Sequence, residues 1–401
     1  MRIAIFAETF LPKLDGVAIS VCHLLDHLAE RGHESIMFAP QGAPDRYAET
    51  SIIGLSSFSF PFYKDLKLVP PVFDVEKELV AFDPDVVHLV NPASLGLVGL
   101  WHARSLDIPV VASYQTDIPG YAVKYGLGML HNSLWAYFRW IHNKADLNLC
   151  PSHFTKAELE QHGFDRVKVW SHGVDTERFS PRHRCAKWRE RLTGGRPDAP
   201  LLLYVGRLAL EKRVDWLRPL MDVLDGVCLA IVGEGPMRAE LEKRFTDTPT
   251  VFTGFLHGED LSRAYAAGDL FVFPSANETL GNVVLEAMAS EMPVVAPRSG
   301  GVVDHVIDGR NGYLFDPDDL ADMVSLVCWL LSDRERLGRL GVSAREYAFT
   351  QSWDEILDGL IADYEAVIET HESKKPRSGS RLLRKLAFRS RDPENGVHLS
   401  V

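Results

Sequence analysis

The chain has 401 residues, of which 46% are hydrophobic and 24% are charged, and its formal net charge is −12. This length suits two globular domains of roughly 150–200 residues each, and the composition excludes an intrinsically disordered chain. The acidic balance argues against a general nucleic-acid-binding protein. The five cysteines are scattered without CxxC pairs, so neither a disulfide framework nor a zinc site is expected.

The two ends of the chain bear on where in the cell the protein is expected. The apolar run at the N-terminus, Met1–Glu8, is far too short for a signal peptide, and no run of about 20 uncharged apolar residues follows anywhere. We therefore expect an intracellular protein without membrane spans. In contrast, Lys374–Arg391 holds eight Lys or Arg and no Asp or Glu, which leaves −20 on the rest of the chain (−12 less the +8 of this stretch). Residues 371–401 are predicted to be a basic, disordered tail.

In the first half, short aliphatic runs alternate with amphipathic stretches. The predicted strands are Arg2–Ala7, Ser35–Ala39, Val86–Val90, Val110–Tyr114, Leu147–Cys150 and Val167–Trp170. The predicted helices are Ala18–Arg31, Ala93–Arg104 and His153–Gln161. Near-continuous apolar strands separated by helices indicate a parallel sheet covered on both faces.

The second half repeats this rhythm after a junction at Glu177–Ala199, which is dense in charge and contains Gly-Gly-Arg-Pro. The predicted strands are Leu201–Val205, Cys228–Val232, Val251–Thr253, Leu270–Phe273, Pro293–Ala296 and Gly312–Phe315. The predicted helices are Met237–Phe245, Leu261–Ala267, Asn282–Ser290, Leu320–Leu331 and Asp333–Phe349. A last helix, Trp353–Ile368, is expected to begin with a capping box of Ser352 and Glu355.

This pattern predicts an α/β protein with two doubly wound, Rossmann-like domains. We expect a first domain at residues 1–176, a linker at 177–199 and a second domain at 200–352. In such sheets, ligands bind at the carboxyl ends of the strands, where loops meet helix N-termini. The loop after the first strand contains Gly16 just before a helix, where a phosphate could approach backbone N–H groups or where glycine could simply serve a tight turn.

Several loops of the second half suit a nucleotide diphosphate. Arg207 and Lys212 follow its first strand and would place two cations over the cleft, although surface cations are often only solvated. Gly235 lies in a strand-to-helix turn, and Phe255 follows the third strand and offers an aromatic ring to a base.

The most informative segment is FPSANETLGNVVLEA, residues 273–287. A strand leads into a loop with Glu278, and Leu280 and Gly281 precede a helix whose free N–H groups would point toward a phosphate. Glu286 lies within that helix, so the two carboxylates could accept hydrogen bonds from ligand hydroxyls on two sides.

Taken together, E-x7-E, GRL-x3-K and the first-loop glycine resemble the retaining glycosyltransferases of family 4, over roughly residues 1–370. The resemblance implies the GT-B fold: two facing Rossmann-like domains, with the acceptor mainly on the first, the nucleotide sugar mainly on the second, and a last helix that crosses back to the first at 353–370. It also implies retention of the anomeric configuration and no metal or other cofactor. Asp83-Pro84-Asp85 and Asp316-Pro317-Asp318 are accordingly interpreted as turns.

Site roles follow from motif positions. The resemblance implies that Glu278 holds hydroxyls of the donor sugar and Glu286 the ribose. It implies that Arg207 and Lys212 bind the diphosphate together with the amides at Gly16, Leu280 and Gly281.

Three further stretches narrow the resemblance to one branch: ETFLP with Asp15-Gly16, NPAxLG at residues 91–96, and Gly173-Val174-Asp175. They resemble sulfolipid synthases, which transfer sulfoquinovose from UDP to diacylglycerol, and bacterial α-mannosyltransferases, which use GDP-mannose. In the loop Tyr-Gln-Thr-Asp, Gln115 stands where many members carry histidine, and we predict Gln115 and Asp117 to be catalytic-site residues. Gln cannot transfer a proton but can hydrogen-bond a sugar hydroxyl. His172 stands where the sulfolipid branch tends to have Arg or Lys, and it is either a site residue or an ordinary loop histidine.

The acceptor is expected to be a membrane lipid or glycolipid. Met129–Trp140 is rich in aromatic residues and is either core or an acceptor surface. In the tail, Leu382, Leu383, Leu386 and Phe388 alternate with basic residues. Such a segment can lie on anionic lipid, and the alternative is a purely solvated, disordered tail. We thus expect a cytoplasmic enzyme peripherally bound to the inner face of the membrane. The alternatives are a sugar-nucleotide epimerase, a transferase with a soluble acceptor, and a membrane-tethered nucleotide-sugar-binding protein.

Overall fold

A computed structural model describes residues 1–13, 15–60, 63–70, 74–124 and 126–374. The first domain contains strands β1 to β10: Arg2–Ala7, Glu34–Pro40, Arg46–Tyr47, Thr50–Leu55, Phe58–Phe60, Tyr63–Leu68, Val86–Val90, Val110–Ser113, Leu147–Cys150 and Val167–Val169. Its helices α1 to α6 are Gly16–Glu30, Asp74–Phe82, Ser94–Ser105, Ile118–Lys124, His131–His142 and His153–Gln161.

The second domain contains strands β11 to β16: Leu201–Val205, Cys228–Val232, Thr250–Gly254, Leu270–Val272, Val294–Pro297 and Gly312–Phe315. Its helices α7 to α13 are Ala186–Leu192, Arg218–Val223, Arg238–Arg244, Gly258–Ala267, Asn282–Ala289, Leu320–Leu331 and Arg334–Phe349, and the last helix, α14, is Trp353–Ser373. Short 3-10 turns include Gly128–Leu130, Leu210–Lys212 and Gly301–Asp304.

Two doubly wound sheets organise these elements. The first has the strand order β10-β9-β8-β7-β1-β2-β4-β3, parallel except for the β3–β4 pair, and the second has the order β13-β12-β11-β14-β15-β16, parallel throughout. β1 and β11 lie inside their sheets and are buried along almost their whole length, as strands covered by helices on both faces must be. The predicted α/β fold with two Rossmann-like domains is confirmed.

All twelve predicted strands are present, with ends that differ by at most one residue. The strands β3 to β6 and the helix α2 were not predicted. β4 explains why: its side chains are a mixture of buried and exposed, with polar residues at Thr50 and Ser51, so it lacks the continuous apolar run of an inner strand.

Residues 177–199 are part of the second domain rather than a linker. Phe179, Trp188 and Leu192 are buried in the core of that domain, and α7 occupies the middle of the segment. The chain instead crosses between the domains just before, where the Val174 N–H donates to the Gln351 carbonyl at 3.0 Å. The two crossings of the chain therefore lie side by side.

Helix α14 starts at the second crossing and packs along the first domain. Its buried side chains Leu357, Leu360, Ile361 and Tyr364 belong to the same hydrophobic cluster as the strands of the first sheet. Asp358 accepts hydrogen bonds from His27 at 2.8 Å and from Arg31 at 2.6 Å, which attaches the helix to α1. The predicted capping box does not form, because the Ser352 side chain makes no capping hydrogen bond.

In the part of the chain described here, none of the helices combines the length and the apolar character needed to cross a membrane. The predicted basic tail, with Leu382, Leu383, Leu386 and Phe388, lies outside the described residues.

Candidate functional site

Glu278 lies at the centre of the loop that follows β14, and its carboxylate is fixed by two donors. Lys212 Nζ and Ser275 Oγ both donate to Glu278 Oε1 at 2.5 Å. The Lys212 and Glu278 side chains are only 16% and 14% exposed, so water screens this ion pair weakly. Lys212 ends the 3-10 turn after β11, which brings the predicted cation and the predicted carboxylate together.

The backbone of this loop is held by a pair of glycines that follows β15. The Gly301 N–H donates to the Glu278 carbonyl at 2.6 Å. Gly300 has φ of 70°, and a Cβ there would lie 2.7 Å from that same carbonyl oxygen. Sequence reasoning missed this pair, although Gly-Gly shortly after a buried strand signals a close approach of two backbones.

Glu286 lies inside α11, one face of which points into the second domain. The Tyr265 hydroxyl donates to Glu286 at 2.7 Å. Burial raises the pKa of Glu286 to about 7, although the Tyr265 hydrogen bond acts in the opposite direction. Gly281, with φ of 87°, is the residue before α11, and no side chain caps that helix N-terminus. Leu280 is buried behind it.

The loops after β11 and β12 contact each other through their backbones. The Leu208 N–H donates to the Glu234 carbonyl and the Met237 N–H to the Leu208 carbonyl, both at 2.9 Å. A Cβ on Gly235 would lie 2.3 Å from the Leu208 carbonyl oxygen. Gly235 is therefore required for packing, and it fixes the course of the chain toward Lys212.

Two other predicted residues of the second domain are exposed. Arg207 lies in the same loop as Leu208, and its carbonyl accepts a hydrogen bond from the Tyr204 hydroxyl at 3.1 Å. Phe255 follows β13 and is 57% exposed, with its ring against His257 at 4.4 Å between centroids. Both residues therefore lie at the surface of the second domain.

The first domain faces this site with the N-terminus of α1. A Cβ on Gly16 would lie 3.4 Å from Asn282 Nδ2, so the first residues of α1 and α11 approach each other from opposite domains. Asp15 caps α1 by accepting the Ala18 N–H at 2.9 Å. The positive ends of two helices therefore converge at one point of the cleft.

Gln115 also lies at the domain contact, whereas Asp117 has a local role. The Gln115 carbonyl accepts a hydrogen bond from Thr279 Oγ1 at 3.1 Å, and the side chain is 5% exposed. Asp117 accepts from the Gly120 N–H at 2.9 Å and from the Tyr114 hydroxyl at 3.3 Å, which stabilises the start of α4. The Asp117 side chain thus acts as a helix cap.

The two first-domain stretches that carry the branch resemblance are joined by one buried carboxylate. Glu8 Oε1 accepts the N–H groups of Ala93 at 2.6 Å and Gly96 at 2.8 Å. Burial raises the pKa of Glu8 to about 7, against the effect of these hydrogen bonds. Asn91 Oδ1 in turn accepts the N–H groups of Gln115 and Thr116 at 3.2 and 3.1 Å. Glu8 therefore supports the Gln115 loop through residues 91–96.

His172 is a buried member of the site. Its Nε2 lies 3.1 Å from Gln115 Oε1 and its Nδ1 lies 3.1 Å from Asn282 Oδ1. Burial lowers the pKa of His172 to about 4, so the ring is neutral at neutral pH. Of the two interpretations considered from sequence, an ordinary loop histidine does not fit a ring that contacts both domains.

The two Asp-Pro-Asp sequences differ: Asp316 makes a hydrogen bond within a turn, whereas Asp85 joins the start of β7 to the start of β1. Asp85 accepts the Arg2 N–H at 2.8 Å, and Asp316 accepts the Asp318 N–H at 3.1 Å. On the first domain, the segment Met129–Trp140 divides into two faces. Trp135 and Phe138 are buried, whereas Met129, Leu130 and Trp140 are exposed.

Comparison with known proteins agrees with this architecture. Residues 14–178 match the family described as Glycosyltransferase Family 4, and residues 199–333 match Glycosyl transferases group 1. The chain is 38% identical to sulfoquinovosyl transferase SQD2 of Arabidopsis thaliana, over 88% of this chain and 71% of that protein. It is 41% identical to a GDP-mannose-dependent alpha-mannosyltransferase of Mycobacterium tuberculosis, over 92% and 97%.

A third relative is the alpha-monoglucosyldiacylglycerol synthase of Streptococcus pneumoniae, 30% identical over 79% of this chain and 75% of that protein. Among solved structures, sucrose-phosphate synthase (tll1590) of Thermosynechococcus elongatus superposes with a TM-score of 0.76 at 22% identity, covering 92% of this chain and 99% of that one. At this identity the match supports the GT-B fold alone. The chain belongs to glycosyltransferase family 4, in the branch of the sulfoquinovosyl and GDP-mannose-dependent α-mannosyl transferases, and is a glycosyltransferase that uses a nucleotide sugar.

Proposed function

We propose that this enzyme moves a hexosyl group from a nucleotide sugar to a membrane lipid such as diacylglycerol, with retention of anomeric configuration and without a metal. The donor would be UDP-sulfoquinovose, another UDP-hexose or GDP-mannose. The observation that carries the proposal is the Lys212–Glu278 pair beside the uncapped N-terminus of α11. This pair places a cation suited to a diphosphate next to a carboxylate suited to sugar hydroxyls, and both side chains are mostly buried from water.

The donor's nucleotide half would lie against the second domain. Glu286 is suited to the ribose hydroxyls, because an ionised carboxylate accepts two hydrogen bonds at once. Tyr265 already holds one oxygen of Glu286 at 2.7 Å and so fixes the direction of the other. The exposed ring of Phe255 would stack on the base.

The departing diphosphate gains negative charge as the bond to the sugar breaks. Lys212, Arg207 and the free N–H groups at the start of α11 supply positive charge there, which is the part a divalent ion plays in other transferases. Gly16 lets the first domain come close to the same point. In our proposal, the acceptor attacks from the face that the leaving group vacates, so the configuration is retained.

A lipid acceptor is supported by the exposed apolar face on the first domain and by the names of relatives. Met129 is 88% exposed, and Leu130, Val123 and Trp140 are also exposed. They lie on and next to α4 and α5, directly after the Gln115 loop, so an acceptor held there would be near the sugar. The S. pneumoniae relative is named for a glucosyldiacylglycerol product, which has this kind of acceptor.

The direct test is to incubate the purified protein with radiolabelled UDP- and GDP-sugars and vesicles that contain diacylglycerol. Labelled lipid supports the proposal if an α-glycosidase then releases the labelled sugar from it. An altered free sugar nucleotide would indicate an epimerase, labelled water-soluble product a soluble acceptor, and binding without turnover a binding protein. Activity that survives EDTA tests the metal-independent part separately.

We further propose that the enzyme works at the inner face of the membrane, held by its basic C-terminal segment. Residues 375–401 can be removed without cutting α14, which ends at Ser373. This deletion should weaken pelleting with anionic vesicles at 0.05 M salt more than at 0.5 M salt. The full-length double variant Met129→Ser/Leu130→Ser tests the exposed apolar residues of the first domain. Their contribution to vesicle binding should not depend on the salt concentration. Equal pelleting of the truncated and full-length proteins at low salt would show that the C-terminal segment does not hold the enzyme at the membrane.

A further inference from the structure

Besides the motif residues, His172 holds a place at which both domains and both interdomain crossings meet. It lies between β10 and the first crossing, and only 4% of it is exposed. Its ring is near-parallel to that of Trp353, the first residue of α14, with 5.6 Å between centroids. A Cβ on the neighbouring Gly173 would lie within 2.6 Å of Trp353 Cγ. The packing of Gly173 and Trp353, where the chain crosses between the domains, therefore fixes the position of the His172 ring.

From that position the ring contacts one amide of each domain. Gln115 comes from the loop after β8 in the first domain, and Asn282 is the first residue of α11 in the second. Ser20 Oγ is 3.2 Å from the ring, but its hydroxyl donates to the Gly16 carbonyl at 2.8 Å. The Ser20 oxygen can still accept from a ring N–H, but the two amides are the contacts that face opposite nitrogens of the ring, each at 3.1 Å, and come from different domains.

A neutral imidazole carries one N–H and one acceptor nitrogen. It can donate to only one of the two amides, so the other must turn its NH2 group to the ring. The orientation of the Gln115 carboxamide is therefore linked to that of Asn282. Whichever half of the carboxamide faces His172, the other half points away from it.

The outward half of Gln115 lacks a partner within the described residues. Gln115 Nε2 is buried and makes no hydrogen bond there. A buried polar group without a partner costs about 1–3 kcal/mol, so a ligand hydroxyl that pairs with it gains stability. Gln115 also carries a backbone bond to Thr279, the residue after Glu278, which puts it beside the donor-sugar carboxylate.

We propose that His172 is a positioning residue: by holding Gln115 against Asn282, it aims the Gln115 carboxamide at a hydroxyl of the donor sugar only when the two domains are docked. This inference rests on the proposed function, since it requires a nucleotide sugar in the cleft. It assigns the placement of the donor sugar to the Gln115–His172–Asn282 contacts between the two domains, which are separate from the groups that bind the diphosphate.

The test compares His172→Phe, His172→Gln, Gln115→Ala and the double variant His172→Phe/Gln115→Ala in transfer assays. Phe keeps the ring packing on Trp353 but removes both nitrogens. We expect kcat to fall about tenfold, the equivalent of one lost hydrogen bond, while the dissociation constant for UDP or GDP stays within about twofold. Gln can donate and accept, so His172→Gln should recover most of kcat. Because His172 acts through Gln115, the double variant should be no slower than Gln115→Ala alone.

His142→Phe is the control for a merely structural effect. His142 is also a buried, neutral histidine, bonded to Asn148 at 2.9 Å within the first domain. Its replacement should lower the melting temperature without changing kcat more than about twofold. Unchanged kcat in His172→Phe, a parallel loss of nucleotide affinity, or multiplied losses in the double variant would overturn the inference. A wild-type protein that transfers no sugar would count against the proposed function instead.

Discussion

The Lys212 ammonium group donates to the Glu278 carboxylate at 2.5 Å, although the two residues follow different strands of the second sheet. β11 and β14 are neighbours in that sheet, so the loops at their carboxyl ends meet at one edge. A diphosphate bound beside Lys212 would therefore bring its sugar next to Glu278. The ion pair keeps both side chains in position before a donor arrives.

Replacing Lys212 by Met should slow transfer by about 10²–10³-fold, the range found when one donor to a developing anion is removed. Glu278→Gln should slow it as well, since an amide is a weaker acceptor for sugar hydroxyls. Initial rates at saturating donor measure both effects, with melting temperatures to check folding. Lys243→Met, on the exposed face of α9, is the matched control and should keep full activity. Wild-type rates in Lys212→Met would remove this residue from the donor site.

Donor affinity should depend on pH through Glu286. Burial raises the pKa of this carboxyl to about 7, so below pH 7 it is increasingly protonated and loses acceptor capacity for the ribose hydroxyls. The dissociation constant for the nucleoside diphosphate should thus fall as pH rises from 6 to 8. Calorimetric titration across this range should give a smaller slope for Glu286→Gln, because only the ligand phosphate then titrates, whereas Glu346→Gln, exposed on α13, should keep the wild-type slope. A full wild-type slope in Glu286→Gln would assign the titration to another group.

Gly235→Ala should damage donor binding from a distance. The new Cβ would meet the Leu208 carbonyl oxygen at 2.3 Å, so the loops after β11 and β12 must separate and the turn that carries Lys212 must shift. We expect nucleotide affinity to fall at least about tenfold and stability to fall by about 1–3 kcal/mol. Gly338→Ala is the control: it lies in α13 with open space around it and should stabilise the helix by about 0.5–1 kcal/mol. Binding by Gly235→Ala equal to wild type would contradict this account.

Stability should change with pH through Glu8. The folded pKa of about 7 lies above the value of 4.5 for an ordinary glutamate, so the folded state binds more protons between these limits. The free energy of unfolding should therefore fall as pH rises from 4.5 to 7, by up to about 1.4 kcal/mol per pH unit.

Urea unfolding at several pH values measures this contribution. Glu8→Gln keeps a carbonyl acceptor for the Ala93 and Gly96 N–H groups but does not titrate, so its profile should lack this slope. Glu8→Ala leaves both N–H groups unpaired and should cost about 2–4 kcal/mol at every pH. If Glu8→Gln keeps the wild-type pH profile, another buried group is responsible.

The inner strands could be predicted because burial on both faces leaves only aliphatic residues there, as in Leu201–Val205. β3 to β6 could not, since these strands mix polar with apolar residues as ordinary loops do; β3 is the edge of the first sheet, and β5 and β6 form a separate two-stranded sheet. The linker was misjudged for a related reason. The charged residues around Trp188 and Leu192 lie on the outside of a short helix and mask its buried face.

The candidate site divides in the same way. Glu278 and Glu286 stand in one contiguous motif, so sequence alone reaches them. His172 and Gln115 are 57 residues apart and Asn282 is 110 residues beyond His172, and only the tertiary arrangement brings them together. Asp117 shows the converse, because a carboxylate in a cleft loop and a helix-capping aspartate look alike in a sequence.

The packing of α14 has a consequence for biosynthesis. Leu357, Leu360, Ile361 and Tyr364 complete the core of the first domain, yet they are among the last described residues to leave the ribosome. The core of the first domain can therefore be completed only after the second domain has been translated. A premature stop before residue 357 would therefore leave the core of the first domain incomplete, although that domain is the first to be translated.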